Sequence, residues 1–417
     1  MQYIIFDGES TTNFYPLTYT KPAFDLYLGT KTLLDNLVEK LSLKKYDLMV
    51  QPHLKEITCK IHNTTINPHT SEEDIVFING RLILNPETQN LLHMKEHFTA
   101  LSNGELALAK LGKKASNKLL QGEKTLKNLE SGLKSYDLST FSLIRYPWEL
   151  IDRNPLAIEE QFKMTLKGEV PDLSNCEVLG PNNNLKFEGN VSVESNVLFD
   201  LRKGPVLISD GAEIQSNTRI DGPAYIGEKT QIRSAQIRSG TSIGHHCKIG
   251  GEVECSIISS YSNKAHDGFL GHSYVGEWVN IGAGTSNSDL KNTYGAIKMN
   301  VGNVEVNTTS NKIGCFISDY VKTSIGCFIY TGKRIGVASH IHGYVTEDVP
   351  SFTIHAKSLT GKSFELHKNS AIETQKRIMK RRNRNQTSYE KDLLNQVFEM
   401  TQDERYIAGV LKTDFSM

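Results

Sequence analysis

The chain of 417 residues carries 47 basic and 47 acidic side chains, so its formal net charge is zero. A neutral total gives no reason to expect a nucleic-acid-binding surface. The first ten residues lack the basic region and apolar core of a signal peptide, and no apolar run is long enough to span a membrane. The six scattered cysteines contain no Cys-x-x-Cys pair, which suggests neither a zinc site nor a disulfide framework. We therefore expect a cytoplasmic protein of two or three domains.

Residues 1 to about 165 predict a mixed α/β domain. A short apolar strand, Tyr3 to Phe6, leads into a loop that contains Gly8. A second apolar strand, Ile75 to Ile78, ends at the turn-forming dipeptide Asn79-Gly80. A helix is predicted near Pro155 to Phe162, close to the end of this domain.

The segments Pro16-Leu17-Thr18 and Lys21-Pro22 resemble the signature of sugar nucleotidyltransferases. In that family, amides of a glycine-rich loop hold the nucleotide phosphates, and a lysine supplies charge at the transferred phosphoryl group. The resemblance implies that Gly8, Lys21, Asn79 and Gly80 bind a nucleotide, with Asn79 and Gly80 in the place where the family usually binds Mg²⁺.

The N-terminal signature departs from the family pattern in three places. Gly8 is the one glycine that remains in the loop, the arginine of the signature is missing, and Asn79-Gly80-Arg81 replaces a Gly-Asp pair. Two interpretations stay open. The domain is either an active, Mg²⁺-dependent nucleotidyltransferase or a structural remnant that shapes the oligomer.

The second half of the chain repeats with a period of six. Isoleucines recur at Ile208, Ile214, Ile220, Ile226 and Ile232, and after a slip of one residue at Ile237, Ile243 and Ile249. Glycine follows many aliphatic positions, as in Val275-Gly276, Ile281-Gly282, Ile313-Gly314, Ile325-Gly326 and Ile335-Gly336. This period predicts a parallel β-helix of hexapeptides whose aliphatic side chains fill the interior, with roughly 18 residues per coil. We place it between residues 190 and 345, with an irregular insertion between Thr285 and Lys312.

The six-residue repeat is interrupted between Tyr261 and Thr285. His266 precedes the segment Gly-Phe269-Leu-Gly, and Asn280 opens a Gly-Ala-Gly tract that contains Ala283. A histidine with a pKa near neutral can remove a proton from an incoming amine, and a glycine-rich backbone lets a ligand approach closely. The other interpretation of His266 is a surface histidine without a role, since the chain has 13 histidines.

From His266 to Thr285 the spacing is similar to that of the acetyltransferase domain of bifunctional GlmU, which makes UDP-N-acetylglucosamine from glucosamine-1-phosphate. The resemblance implies that His266 is the general base for attack of the amine on acetyl-CoA, that Asn280 contacts the sugar, and that Ala283 lies against the thioester arm of coenzyme A. It also implies left-handed coils and a homotrimer.

Three further residues follow from the same resemblance as substrate-binding candidates. Arg238 falls on the position of the family's phosphate-binding arginine, and Phe269 replaces a tyrosine. The family's second phosphate-binding cation, a lysine, has no counterpart after Arg238, so Asp289-Leu-Lys291 and Lys298 are the alternative source of a cation. That segment is similar to one in archaeal two-domain sugar-1-phosphate transferases.

The C-terminal tail, residues 351–417, predicts helices. Ser370 to Glu373 and Thr387 to Glu390 both match the capping-box spacing of a helix start. The stretch Lys376 to Arg384 is strongly basic. It predicts a solvated helix face, with phosphate or RNA binding as the alternative.

The chain as a whole resembles divergent GlmU-like proteins of Bacteroidetes. We expect a nucleotidyltransferase-like α/β domain (1–165), a left-handed parallel β-helix acyltransferase domain (166–350) and a helical tail. The expected function is acetyl-CoA-dependent N-acetylation of an amino-sugar 1-phosphate, with sugar-1-phosphate nucleotidyl transfer from UTP in the N-terminal half. The alternatives are a uridylyl- or thymidylyltransferase whose β-helix serves only assembly, and a non-catalytic scaffold.

Overall fold

The computed structural model describes residues 2–68, 74–122, 133–139, 142–166, 168–302 and 304–415. These residues form two compact units. The first unit comprises Met1–Phe14, Lys21–Leu26 and Lys31–Tyr146, and the second comprises Tyr15–Thr20, Tyr27–Thr30 and Pro147–Met417. The boundaries at residues 165 and 350 stay predictions. Among the helices that the structure describes, none is both long and apolar enough to cross a bilayer.

The first unit is built on a mixed six-stranded sheet in the order β4-β1-β5-β7-β6-β8. The strands up to residue 137 are β1 Gln2–Phe6, β2 Tyr27–Leu28, β3 Lys31–Thr32, β4 Asp47–Met49, β5 Asp74–Asn79, β6 Phe98–Ser102, β7 Glu105–Gly112 and β8 Lys134–Asp137. The helices are α1 Leu33–Lys40, α2 Lys55–His62, α3 Pro86–Leu92 and α4 Lys113–Leu120. The apolar runs predicted as strands are the parallel pair β1 and β5, whose side chains form a buried core. Asn79 ends β5, as the turn dipeptide predicted.

The second unit is a parallel β-helix made of short strands. They are β9 Glu177–Leu179, β10 Leu185–Phe187, β11 Ser192–Val193, β12 Leu198–Asp200, β13 Val206–Ile208, β14 Glu213–Ile214, β15 Arg219–Asp221, β16 Ala224–Ile226, β17 Gln231–Ile237, β18 Thr241–Ile243, β19 Lys248–Glu254, β20 Ile257–Ile258, β21 Asn263–Lys264, β22 Phe269–Gly271, β23 Tyr274–Val275, β24 Ser286–Asn287, β25 Lys298–Val301, β26 Val304–Asn307, β27 Cys315–Ile317, β28 Lys322–Thr323, β29 Phe328–Ile329, β30 Lys333–Ile335, β31 His340–Ile341, β32 Tyr344–Val345, β33 Thr353–His355 and β34 Ser363–Glu365. The predicted fold class, an α/β domain followed by a left-handed parallel β-helix and terminal helices, is confirmed.

The isoleucines that recur every six residues fill the interior of the coils. One column runs in register through Ile208, Ile226, Ile243, Ile258, Val275, Ile317 and Ile335. All of these are at most 1% exposed, so stacking the coils buries one continuous apolar core. One predicted interior position is wrong, because Ile325 is 77% exposed. Ile325 stands next to Gly326, whose φ of +62° places it in a corner between strands.

Coil length varies around the predicted three hexapeptides. Gln231 bonds to Glu213, 18 residues away in the preceding coil, whereas Cys247 bonds to Thr230, which is 17 residues away. The insertion widens the interval further, since the Glu277 amide meets Asp319 at a separation of 42 residues. Within that insertion, β25 and β26 form an antiparallel hairpin.

Helices precede and follow the coils. They are α5 Pro147–Met164, α6 Lys357–Thr360, α7 Lys368–Lys380, α8 Ser388–Met400 and α9 Gln402–Ile407. The predicted start near Pro155 is wrong, since α5 begins two turns earlier and holds Pro155 inside it. The capping box at Thr387 and Glu390 is confirmed. The one at Ser370 is wrong, because α7 begins at Lys368.

Candidate active site

The corner that follows β21 presents His266 to solvent. In the described parts of the chain, no side chain or backbone group is hydrogen-bonded to its ring. The equivalent corner of the next coil carries Ala283, since the Gly284 amide donates to the Asp267 carbonyl at 2.9 Å. Successive coils lie about 4.7–4.9 Å apart. The structure therefore places His266 and Ala283 side by side at one exposed corner, as the proposed base and thioester contact require.

A buried lysine supports this corner from inside. Lys264 pairs in register with Ile249, so it occupies an interior position that other coils fill with isoleucine. Its ammonium group donates to the carbonyl oxygens of Gly250 at 2.7 Å and His266 at 3.2 Å. Burial lowers the pKa of Lys264 to about 8. The amine thus ties the backbone of His266 to the preceding coil.

The face beyond the corner holds Phe269 and a partly buried ion pair. A Cβ atom on Gly271 would meet the Phe269 ring and would lie 2.7 Å from Oδ2 of Asp289, so this approach needs glycine. The His272 ring contacts the same carboxylate, with 2.7 Å between Nδ1 and Oδ2. Burial alone would lower the pKa of His272, but hydrogen bonds with Asp289 and Cys255 outweigh it and raise the pKa to about 9. The pair fixes the start of the insertion beside Phe269.

Lys291 leaves the coil two residues after Asp289. The chain closes there through a bridge between Leu290 and Lys312. The Lys291 ammonium donates to the carbonyl of Ala296 at 3.0 Å, within the insertion itself. The segment that carries Lys291 therefore begins beside Phe269 and is held there by these contacts. The role of Lys291 in substrate binding stays a prediction.

Arg238 lies on the same face as Phe269, among carboxylates. Its guanidinium contacts Asp221 at 3.2 Å and Glu252 at 3.1 Å, and Glu252 pairs in register with Phe269. Burial lowers the pKa of Arg238, and the hydrogen bonds with Glu252 and Asp221 outweigh it and raise the pKa. A phosphate bound by Arg238 would therefore compete with two carboxylates that already hold the guanidinium.

Asn280 lies on the face that precedes the corner. It bridges Asn263 in the coil before and Lys322 in the coil after, and all three line one cavity with residues of α7. Asn280 is thus separated by the corner from Phe269 and Arg238. The sugar contact that resemblance assigns to Asn280 would be made from this side of His266.

In the first unit, Gly8 belongs to the loop that is expected to bind a nucleotide. The carboxylate of Glu105 lies against this loop. The Glu105 carboxylate accepts from the Ser10 amide at 3.0 Å and pairs with Arg81, which is fully buried. A Cβ atom on Gly8 would meet the side chains of Asn79, Glu105 and Arg81. The Glu105 carboxylate therefore already accepts a hydrogen bond from a loop amide of the kind that binds nucleotide phosphates in sugar nucleotidyltransferases.

Asn79 and Gly80 serve the fold at the end of β5. The Asn79 amide donates to the Leu106 carbonyl at 3.0 Å, and its oxygen accepts from the Arg81 amide at 3.1 Å. Gly80 packs against Phe24, which a Cβ atom would meet at 2.5 Å. With both amide atoms engaged and no carboxylate at this position, these residues do not fit a Mg²⁺ site. Within the described ranges, no group of three or more His, Cys, Asp or Glu side chains could hold a metal ion.

Two more residues of the loop differ in their surroundings. Lys21 is half-buried and takes part in further interactions. Asp7 receives hydrogen bonds from Thr11 at 2.8 Å and from the Ala23 amide at 3.1 Å. Burial nevertheless raises the pKa of Asp7 to about 6. A carboxylate in this position repels nucleotide phosphates when it is ionised.

Carboxylates that were not predicted from the sequence surround both predicted phosphate sites. Glu105 lies on an antiparallel strand far from the loop in sequence, and no local pattern connects the two. Asp221 and Glu252 each stand one coil from Arg238. The sequence does contain a signal for Asp221 and Glu252. Residues one coil apart on a β-helix face are neighbours, so acidic residues at that interval from Arg238 predict ion pairs with it.

The chain matches known proteins in both halves. Residues 3–170 match the family model described as "Sugar nucleotidyl transferase". Together with the relatives below, this match confirms the resemblance to the GlmU-like proteins.

Three relatives illustrate the similarity. The bifunctional sugar-1-phosphate nucleotidylyltransferase/acetyltransferase of Sulfurisphaera tokodaii is 33% identical over 200 residues, which cover 47% of this chain and 43% of that protein. The bifunctional protein GlmU of Marinobacter nauticus is 38% identical over 111 residues, covering 24% and 23% of the two chains. The GlmU protein of Methanococcus vannielii is 24% identical over 396 residues, covering 82% and 93%. The chain thus spans less than half the length of the first two relatives.

Proposed function

We propose that the chain is a transferase that moves the acetyl group of acetyl-CoA to the amine of an amino-sugar 1-phosphate of the glucosamine-1-phosphate type. The observation that supports this most is the exposed corner where His266 stands beside Ala283 and the small residues Gly282 and Gly284. An acyl donor can approach a glycine-rich backbone closely, while an unbonded imidazole faces the same space.

The reaction at this corner needs one proton transfer. The sugar amine attacks the thioester carbonyl, and His266 takes the proton that the amine gives up as the C–N bond forms. The tetrahedral intermediate then expels the thiolate of coenzyme A, which the protonated histidine can neutralise. Lys264 holds the His266 carbonyl, so it is a positioning residue for the base.

The amino sugar would lie between the faces on either side of His266. Asn280 lies on one side, and Phe269, Arg238 and the Lys291 segment lie on the other. We keep all four as proposed substrate-binding residues. Since Arg238 is held by two carboxylates, its contribution to phosphate affinity should be smaller than that of a free arginine.

The assembly we propose is a homotrimer, formed through the face that follows the corner. Phe328 and Tyr344 are large exposed apolar residues on that face and stack with ring centroids 5.3 Å apart, and Ile325 is exposed at the adjoining corner. A contiguous apolar surface favours association, and a second copy of the chain is the occupant to which we commit. Light scattering should give three chains per particle in dilute solution, and a monodisperse monomer would contradict the proposal.

A second activity, transfer of a nucleotidyl group from UTP to a sugar 1-phosphate, is favoured by the family match of residues 3–170. Gly8, Lys21, Asn79 and Gly80 are the residues proposed to bind the nucleotide. Glu105 at the loop amide and the poor fit for Mg²⁺ argue for slow or absent turnover. We therefore propose acetyl transfer as the main activity. The proposed compartment of both activities is the cytoplasm.

One panel of assays separates these activities. The purified full-length protein is incubated with glucosamine-1-phosphate and acetyl-CoA, and the release of coenzyme A is measured. A second reaction contains N-acetylglucosamine-1-phosphate, UTP and Mg²⁺, and the release of pyrophosphate is measured. We expect rapid release of coenzyme A and little pyrophosphate. The reverse result would favour a nucleotidyltransferase whose β-helix serves only assembly, and no product in either reaction would favour a scaffold.

A further inference from the structure

A ladder of polar residues lies on the β-helix face that precedes the candidate corner. Lys248, Asn263, Asn280 and Lys322 occupy matching positions in successive coils. Side chains in such a ladder leave the strands in the same direction, about 4.7–4.9 Å apart, so all four line one side of a shared space.

Helix α7 covers this ladder with its arginines. Thr374, Arg377, Ile378 and Arg381 follow the spacing of a single helix face, and all four line the cavity. The opposite side of α7 is anchored by its buried residues, Ala371, Ile372, Gln375 and Met379. Packing therefore aims the arginines at the ladder. The space between them measures about 350 Å³, which lies in the range of small-molecule sites.

The charge of this cavity has one sign. Of its nine lining residues, five are Lys or Arg, and the described lining contains no Asp or Glu. In the described residues, Arg377 and Arg381 have neither an ion pair nor a hydrogen bond from their side chains, whereas Arg382 donates to Asn263 at 2.7 Å. The Lys322 amine is already used, since it donates to the carbonyls of Trp278 at 2.8 Å and Tyr320 at 2.9 Å. Two arginines thus remain available for a ligand.

Burial and the crowded positive charges lower the pKa values of two residues that line the cavity, Lys248 and Arg382. Burial first, and then neighbouring guanidinium groups led by that of Arg382, lower the pKa of Lys248. Burial also lowers the pKa of Arg382, and Arg381 adds to this. Cations that disfavour one another's charge gain stability when an anion enters the cavity between them.

We infer that the cavity between α7 and the β-helix binds a phosphate-bearing anion through Arg377 and Arg381. Planar guanidinium forks match phosphate oxygens in pairs, and amides such as Asn263 and Asn280 add donors of a kind that phosphate accepts. Several cations around so small a space suit a compact anion with more than one negative charge. The cavity lies between α7 and a sheet face, and its volume of about 350 Å³ suits a compact anion better than a strand of RNA.

The inference goes beyond acetyl transfer, because binding can be measured without acetyl-CoA and without turnover. The probe is inorganic pyrophosphate, titrated into the full-length protein at low salt by isothermal calorimetry. The test variant is the pair Arg377→Gln and Arg381→Gln. The matched control is Lys376→Gln with Lys380→Gln, which removes the same charge from exposed positions of α7 outside the cavity lining. Circular dichroism checks that both variants keep the parental fold.

We expect pyrophosphate to bind the parent and the control with affinities within about threefold, and the arginine variant to bind at least tenfold more weakly. Binding to the parent should also weaken as salt is added. Equal losses in the two variants, or no heat with the parent, would overturn the inference. So would an RNA oligonucleotide that binds the parent more tightly than pyrophosphate does.

Two sources of phosphate are then separated by competition. Glucosamine-1-phosphate that displaces pyrophosphate from the parent identifies a sugar phosphate as the ligand, whereas displacement by UTP identifies a nucleotide. Failure of both to displace pyrophosphate would contradict a sugar phosphate and a nucleoside triphosphate as the natural occupant. A protein that binds pyrophosphate but does not acetylate would keep this inference and lose the proposed function, and the reverse result would do the opposite.

Discussion

The partly buried pair of His272 and Asp289 predicts a pH-dependent stability of the β-helix unit. The pKa of His272 rises from 6.5 to about 9 in the folded protein, as its bonds with Asp289 and Cys255 outweigh burial. Below pH 6.5 both the folded and unfolded states are protonated at this histidine, so its contribution is complete. Between pH 6.5 and 9 the unfolded state loses the proton first, and the contribution declines. At 1.36 kcal/mol per pKa unit, this shift corresponds to about 3 kcal/mol.

The perturbation is His272→Gln, and the control is His367→Gln. His367 also pairs with a carboxylate, Asp414, but their side chains are 60% and 95% exposed, so that pair should contribute less than about 1 kcal/mol. Urea unfolding is followed by tryptophan fluorescence, since Trp148 and Trp278 both belong to the second unit.

The quantity to compare is the difference in free energy of unfolding between parent and variant, because groups that titrate independently of His272 cancel in it. For His272→Gln we expect a loss of about 3 kcal/mol at pH 6.5 that shrinks to near zero above pH 9. For His367→Gln the difference should stay small at every pH. A difference for His272→Gln that is constant with pH, or no larger than that of the control, would refute this reasoning.

Three further substitutions test other parts of the structure. Glu105→Gln leaves the buried Arg81 without a charged partner and should destabilise the first unit by about 3 kcal/mol, measured by hydrogen exchange in peptides from β1 and β5, whereas Glu39→Gln in an exposed pair should cost less than about 1 kcal/mol. Arg238→Lys should raise the KM for the sugar phosphate more than that for acetyl-CoA, and equal increases would instead assign Arg238 a structural role in its ion pairs. Thr387→Ala removes a helix cap and should cost about 1 kcal/mol, seen as faster exchange at the start of α8, while unchanged exchange would contradict the capping role.

The β-helix was predictable because its rule is local. An aliphatic residue every six positions must point inward in each strand, and Ile226, Ile243 and Ile249 do so with no exposed surface. The same rule failed at Ile325, where the period continues but the residue sits at an exposed corner. A single sequence cannot tell an interior isoleucine from one at a corner, because both precede glycine.

The candidate site was predictable only where the motif is contiguous. His266 and Ala283 share a corner because the residues between them complete one coil, which the spacing already predicts. The partners of Arg238 and the cover over Asn280 were not predictable. They depend on which carboxylates neighbouring coils supply and on where α7 packs, and nothing in the segment Lys376 to Arg384 indicates the face it would contact.

Acetyl transfer by the His266→Ala variant tests the central claim most directly. The full-length protein and the variant are compared with glucosamine-1-phosphate and acetyl-CoA, with His93→Ala as a control for an exposed histidine in the first unit. We predict that kcat falls about 10²- to 10⁴-fold in the His266 variant, the usual contribution of a general base, while the control keeps the parental rate. Acetylation by the His266 variant at the parental rate would contradict it.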